Sequence, residues 1–213
     1  MMKNVLCFGD SLTWGFDAQT GGRHNLGDRW PTALSKALGS DVHIIAEGLN
    51  GRTTAFDDYT ADCDRNGVRI LPTLLATHKP LDLIIVLLGT NDLKEMVVGN
   101  ATASVKGLER IIRIIQRHES HEMGASPDIL IVSPPKFCET ANTDIGALFV
   151  GGLEESKKFP TLHADLADNF GCGFFDANSV CETTPIDGIH LDAKNTKDLG
   201  EGLASTVKLM LGL

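Results

Sequence analysis

Four apolar runs in this chain lack the polar alternation of a half-buried strand. They are Val5-Leu6-Cys7-Phe8, 42–46, 81–88 and 128–132, with 173–176 as a weaker fifth. Such runs suit strands buried on both faces, as in a parallel sheet covered by helices. The segments between them carry a helical period. Trp30, Ala33, Leu34, Ala37 and Leu38 fall on one face, as do Val105, Leu108, Ile111, Ile112 and Ile115, and then Leu199, Leu203, Val207 and Met210. Strand and helix in alternation predict a doubly wound α/β fold with right-handed crossovers. No repeat or linker interrupts the 213 residues, so 1–213 reads as one domain. In such sheets ligands sit outside the carboxyl ends of the strands, which directs attention to the residues following each run.

Composition narrows the partners. With 19 basic and 28 acidic residues the net charge is −9, which argues against nucleic acid and against anionic membranes. Cysteines stand at 7, 63, 138, 172 and 181, an odd number with no Cys-x-x-Cys spacing. Neither a disulfide framework nor a zinc site is suggested, and a reducing compartment is expected. The apolar run before Gly9-Asp10 is only four residues, 5–8, too short for a signal-peptide core. No apolar run approaches the roughly 20 residues of a membrane span. The expectation is a soluble, cytoplasmic protein. The long connections 48–69 and 134–149 read as functional loops.

Small polar groups follow the strands. Gly9-Asp10-Ser11-Leu12-Thr13-Trp14-Gly15 follows the first and Glu47-Gly48-Leu49-Asn50-Gly51-Arg52-Thr53 the second. Gly89-Thr90-Asn91-Asp92 follows the third, and Asp187-Gly188-Ile189-His190 precedes the last helix. Each has an ordinary reading. Ser11 can cap a helix, Asn91 or Asp92 can close an Asx turn, Gly51 can be a turn glycine, and His190 can be a surface residue with Asp192 as N-cap. A metal set of Asp187, His190 and Asp192 lacks the usual ligand spacing. Together, though, they form a complete set for acyl transfer. Ser11 would attack, with Asp10 holding its turn. His190 would take the hydroxyl proton, oriented by Asp187 three residues before it. The N–H groups of Ser11 and Gly51 and the Asn91 amide would hold the oxyanion.

These four blocks resemble those of the SGNH, or GDSL-type, hydrolases, from residue 5 to residue 190. The longer strings 7–15 and 47–54, with Val132-Ser133-Pro134-Pro135, are similar to the aryl esterase, acyltransferase and perhydrolase branch and to bacterial carbohydrate acetyl esterases. The resemblance implies a three-layer, flavodoxin-like α/β/α sandwich with a five-stranded parallel sheet. It implies hydrolysis of short-chain esters through an acyl-serine, with some acyl transfer to alcohols. It implies no metal or organic cofactor, a small-molecule ester as substrate, and a homo-oligomer, octamers among them. The family's block-two donor can be Ala where this chain has Gly51, and a backbone donor survives that change.

Leu12, Trp14, Phe149 and Ile189 are expected to line the acyl pocket from their nearness to the motifs, with core packing as the alternative for each. A Trp near the nucleophile would restrict the pocket to groups such as acetyl. Two competitors remain: a thioesterase or lysophospholipase using the same residues on longer chains, and a non-catalytic flavodoxin-like binding domain. A nucleotide site is excluded by the lack of a Gly-x-Gly-x-x-Gly or Walker pattern after the first strand.

Overall fold

The computed structural model describes residues 2–120 and 125–213. Its strands are β1 (Lys3–Gly9), β2 (Phe16–Asp17), β3 (Gly22–Arg23), β4 (Val42–Gly48), β5 (Leu83–Leu87), β6 (Asp128–Ser133) and β7 (Gly173–Asp176). Its helices are α1 (Ser11–Trp14), α2 (Trp30–Leu38), α3 (Gly67–His78), α4 (Ala101–Gln116), α5 (Thr143–Leu148), α6 (Gly152–Ser156), α7 (Phe159–Phe170) and α8 (Ala193–Leu211). Five strands form a parallel sheet in the order β4-β1-β5-β6-β7. This is the doubly wound α/β sandwich that the apolar runs predict.

Successive strand residues face opposite sides of a sheet, and here both sides are dry. Val5, Cys7, Leu83, Ile85, Leu87, Leu130 and Val132 pack with Trp30 and Leu34 of α2 and Leu199, Leu203 and Val207 of α8. Their neighbours Leu6, Phe8, Ile84, Val86, Ile129 and Ile131 pack on the other side with Leu71 of α3, Leu108 and Ile111 of α4, and Leu166 of α7. Double-sided burial is why the runs carry no alternation.

Three features depart from the sequence reading. Residues 48–69 are not wholly loop, because Asn66 caps α3 by accepting the Val68 N–H, and Pro72 inside that helix masks its period. The connection 134–149 contains α5, whose residues stay partly exposed and so lack a clear apolar face. The hairpin of β2 and β3 has two residues per strand, too short for a periodic signal.

Register sets the site. Gly9 pairs with Gly48 on one side and Leu87 on the other, so β4, β1 and β5 end at one level. The chain winds away in opposite directions from β1 here, and a crevice opens above the strand ends. Among the described residues no helix is long and apolar enough to cross a membrane.

Candidate active site

Ser11 begins a one-turn helix directly beyond β1. Asp10 is its N-cap, its Oδ1 accepting the Leu12 N–H at 3.0 Å. The turn is tight because residue 9 is glycine: a Cβ there would lie 2.1 Å from Thr13 Oγ1 and 2.8 Å from the Leu87 carbonyl oxygen. Ser11 is 5% exposed, at the floor of the crevice.

The other end of the chain meets it there. His190 Nε2 lies 2.8 Å from Ser11 Oγ, and His190 Nδ1 lies 2.5 Å from Asp187 Oδ2. The second Asp187 oxygen accepts the backbone N–H groups of Ile189 and His190, both at 3.0 Å. Burial works to raise the Asp187 pKa, but the bonds and charge from His190 and the two N–H groups outweigh it and hold the carboxyl below its ordinary value. An ionised Asp187 places the proton on Nδ1 and leaves Nε2 to accept the Ser11 hydroxyl. Phe16 packs its ring 4.4 Å from the imidazole, between centroids. Asp192 is no partner in this cluster; it caps α8 through the Asn195 N–H at 2.7 Å. No group of three His, Cys, Asp or Glu suited to a metal ion occurs among the described residues.

Three residues with donor groups, Ser11, Gly51 and Asn91, line the same cavity. Gly51 is the third residue of a turn closed by Arg52 N–H to the Leu49 carbonyl at 3.0 Å, and its φ of +80° is one that side chains disfavour. Among the described residues neither the Ser11 nor the Gly51 N–H has an acceptor. Asn91 Nδ2 donates to the Arg52 carbonyl at 3.1 Å and to Asp10 Oδ2 at 3.4 Å. Two acceptors fix that amide with its NH₂ toward them. Arg52 is itself buried over the Phe8 ring, donating to the carbonyls of Gly9 (2.8 Å) and Glu47. Burial lowers its pKa to about 10.

Behind the donors are two buried carboxylates. Burial pushes Asp10 up to about 6 despite the Leu12 N–H and the charges of His190 and Arg52. Asp92 is pushed by burial to about 6 despite bonds from Ser104 Oγ (2.7 Å), Thr54 Oγ1 (2.6 Å) and Thr54 N–H (2.9 Å). Asp92 thereby ties the β5 end to the β4 loop and to α4.

The cavity above Ser11 is about 220 Å³. Ser11, Gly51, Asn91, His190, Phe149 and Ile189 line it, as the sequence suggests. Leu12 and Trp14 do not. Leu12 turns inward to the α2–α8 core and is 3% exposed. The Trp14 ring lies under the Arg23 guanidinium, 4.7 Å away, outside the cavity. The physical reason is Gly15, whose left-handed φ of 88° ends α1 and redirects the chain, so that Phe16 reaches the site instead. Phe16, Ile145 and Leu148 are lining residues that sequence reasoning missed. A larger groove of about 600 Å³ adjoins, sharing Ile145, Phe149 and Ile189. It contains Asp187 but neither Ser11 nor His190, so the Ser11–His190 pair opens onto the smaller space.

Comparison with known proteins accords with this geometry. The model of the GDSL-like Lipase/Acylhydrolase family matches residues 7–195. A solved structure of a carbohydrate acetylesterase family member from Sinorhizobium meliloti is 60% identical, with both chains covered in full and a TM-score of 0.97. Est24, a carbohydrate acetylesterase from the same organism, is 36% identical over 98% of this chain and 99% of its own, with a TM-score of 0.91. The aryl esterase of M. smegmatis shows the same identity, coverage and TM-score. No curated protein matches significantly. The chain belongs to the GDSL-like Lipase/Acylhydrolase family and is a carboxylic ester hydrolase.

Proposed function

We propose that the enzyme hydrolyses short-chain, acetyl-like esters through an acyl-serine at Ser11. The contact that carries this reading is the 2.8 Å approach of His190 Nε2 to Ser11 Oγ, with Asp187 2.5 Å behind the ring. His190 takes the hydroxyl proton as Ser11 Oγ attacks the ester carbonyl, and the resulting imidazolium is stabilised by Asp187. The oxyanion is received by the N–H groups of Ser11 and Gly51 and by Asn91 Nδ2, whose longer bond to Asp10 is the one an oxyanion displaces. The tetrahedral intermediate expels the alcohol, protonated by His190. Water then attacks the acyl-serine, again through His190, and releases the acid.

The cavity supports a small acyl group. Its 220 Å³ lies below the usual range of about 300–1,000 Å³ for drug-sized ligand sites. Asn50 Oδ1 and Thr90 Oγ1, on residues lining it, have no hydrogen-bond partner among the described residues. A hydroxyl-bearing alcohol, such as a partly acetylated sugar, would supply one; structural relatives named for carbohydrate and aryl esters point the same way. The five free cysteines support a reducing, cytoplasmic setting.

The test is rate against chain length with p-nitrophenyl esters, for the wild type and Ser11→Ala. Acetate and butyrate should be cleaved and decanoate barely, and Ser11→Ala should abolish turnover while its fold persists. Equal rates on acetate and decanoate would remove the small-acyl claim, and an active Ser11→Ala would remove the mechanism.

A further inference from the structure

The donor at Gly51 is only useful if its peptide faces the right way. The Asn50–Gly51 unit is the central peptide of a tight turn, the unit that inverts when such turns interchange type. Glycine at 51 removes the steric barrier that would otherwise favour one orientation. The turn's own bond, Arg52 N–H to the Leu49 carbonyl, closes either form and so does not choose between them.

A second bond chooses. Arg65 Nη1 donates to the Asn50 carbonyl oxygen at 2.5 Å. That carbonyl and the Gly51 N–H belong to one trans peptide, in which C=O and N–H point in opposite directions. Fixing the oxygen on Arg65 therefore turns the N–H away from Arg65. The guanidinium also withdraws charge from the carbonyl and strengthens the same peptide's N–H as a donor.

Arg65 is well built for this. Its other nitrogen, Nη2, donates to Asp62 Oδ1 at 2.5 Å, and its side chain is 16% exposed. Its backbone carbonyl accepts both the N–H (2.9 Å) and the hydroxyl (3.2 Å) of Thr53, just beyond the turn. The arginine is thus anchored to the segment it orients.

We propose that Arg65 is a positioning residue for ester hydrolysis: by gripping the Asn50 carbonyl it holds the Gly51 N–H toward the oxyanion above Ser11. The proposal rests on the acyl-serine reading. Arg65 touches no reacting atom, and its effect is confined to states in which the oxyanion exists.

Arg65→Met and Arg65→Lys, assayed on p-nitrophenyl acetate, test this. Arg65→Met should lower kcat by roughly 10-fold or more, short of the ~10²–10³ of a deleted donor, with KM almost unchanged. Phenylboronic acid, which adds to a serine as a tetrahedral anion, should lose affinity by a similar factor. Arg65→Lys keeps a donor and should recover part of both. Tm should fall only slightly, by the loss of the Asn50 and Asp62 bonds, because the bonds from Thr53 end on backbone and persist. A kcat for Arg65→Met within about twofold of wild type overturns the proposal. So does a loss that appears equally in KM and Tm with no rescue by lysine. Ser11→Ala assayed beside them separates the two readings. If it stays active, the acyl-serine mechanism fails; if it is dead while Arg65→Met is normal, only the positioning role fails.

Discussion

Asn91 shares one nitrogen between the Arg52 carbonyl and Asp10, and this sets what its removal costs. In the proposed mechanism its hydrogen bond to substrate strengthens only as the carbonyl oxygen becomes an oxyanion. Asn91→Ala should therefore lower kcat by roughly 10²–10³ with little change in KM. A KM effect alone, in steady-state assays, would make Asn91 a ground-state contact instead. Asp92, next in sequence, has a different task. It accepts three hydrogen bonds in a fully buried place, yet burial still raises its pKa from 3.8 to about 6. A carboxyl raised on folding stabilises the fold fully below its unfolded pKa, and that contribution is lost as pH rises through the folded value. The span is about two pH units, or about 3 kcal/mol. Asp92→Asn cannot ionise, and the two hydroxyls bonded to Asp92 can turn to suit the amide. The stability of wild type relative to Asp92→Asn should thus fall by about 2.5 kcal/mol between pH 4 and pH 7, read from urea unfolding. Parallel curves would mean that Asp92 ionises normally in the fold.

At the scale of elements, the residues proposed for the chemistry and those that shape the cavity differ in how visible they are in sequence. Ser11, Asn91, Asp187 and His190 lie where parallel strands deliver loops to one edge, and their side chains are of the types that acyl chemistry needs. Position and chemistry can both be read without coordinates. The walls cannot. Phe16 sits on a two-residue strand, and Ile145 and Leu148 on a helix of six residues, none long enough to show a period. Trp14 is nearer the nucleophile in sequence than Phe16, yet the left-handed Gly15 sends the later residue to the site. Direction after a turn depends on backbone angles that proximity does not encode. The α5 segment and Phe149 also form the partition between the 220 Å³ cavity and the 600 Å³ groove. Phe149 meets Phe137 edge-on, with centroids 5.5 Å apart, and removing its ring should join the two spaces. Phe149→Ala is expected to shift the preferred p-nitrophenyl ester from acetate toward hexanoate or longer, at about 3–5 kcal/mol in stability if the ring is fully packed and less given its partial exposure. An unchanged chain-length profile would show that the partition lies elsewhere.

Across the whole molecule, buried ionisable groups pull stability in opposite directions as pH falls. His163 on α7 is fully buried beside Phe159, with ring centroids 5.0 Å apart, and neither ring nitrogen has a hydrogen-bond partner among the described residues. Burial lowers its pKa from 6.5 to about 3, so on acidification the unfolded chain takes up a proton that the fold refuses. Its contribution is present above pH 6.5 and lost progressively toward pH 3. Asp10 and Asp92 act the other way, since both accept protons in the fold near pH 6 but in the unfolded chain only near 3.8. Near pH 5 the unfolded chain holds about one extra proton on His163 and the fold about two on the carboxyls, so His163 cancels roughly half of the carboxyls' slope and a net gain toward acid remains. Below pH 4 the carboxyls no longer differ, whereas His163 still penalises the fold and Asp187, held low, begins to lose its ion pair. On these three groups wild type should accordingly gain modestly in stability from about pH 7 to 4 and then lose it as pH falls further. His163→Leu removes a buried group that opposes acid stabilisation over this range, and among the described residues it leaves no hydrogen bond unmade. Its stability relative to wild type should rise by about 3 kcal/mol from pH 7 to pH 4, the product of about 2.5 pH units and 1.36 kcal/mol per unit. Urea unfolding of both proteins across that range decides it, and curves that stay parallel would mean that His163 finds a protonated, solvated state within the fold.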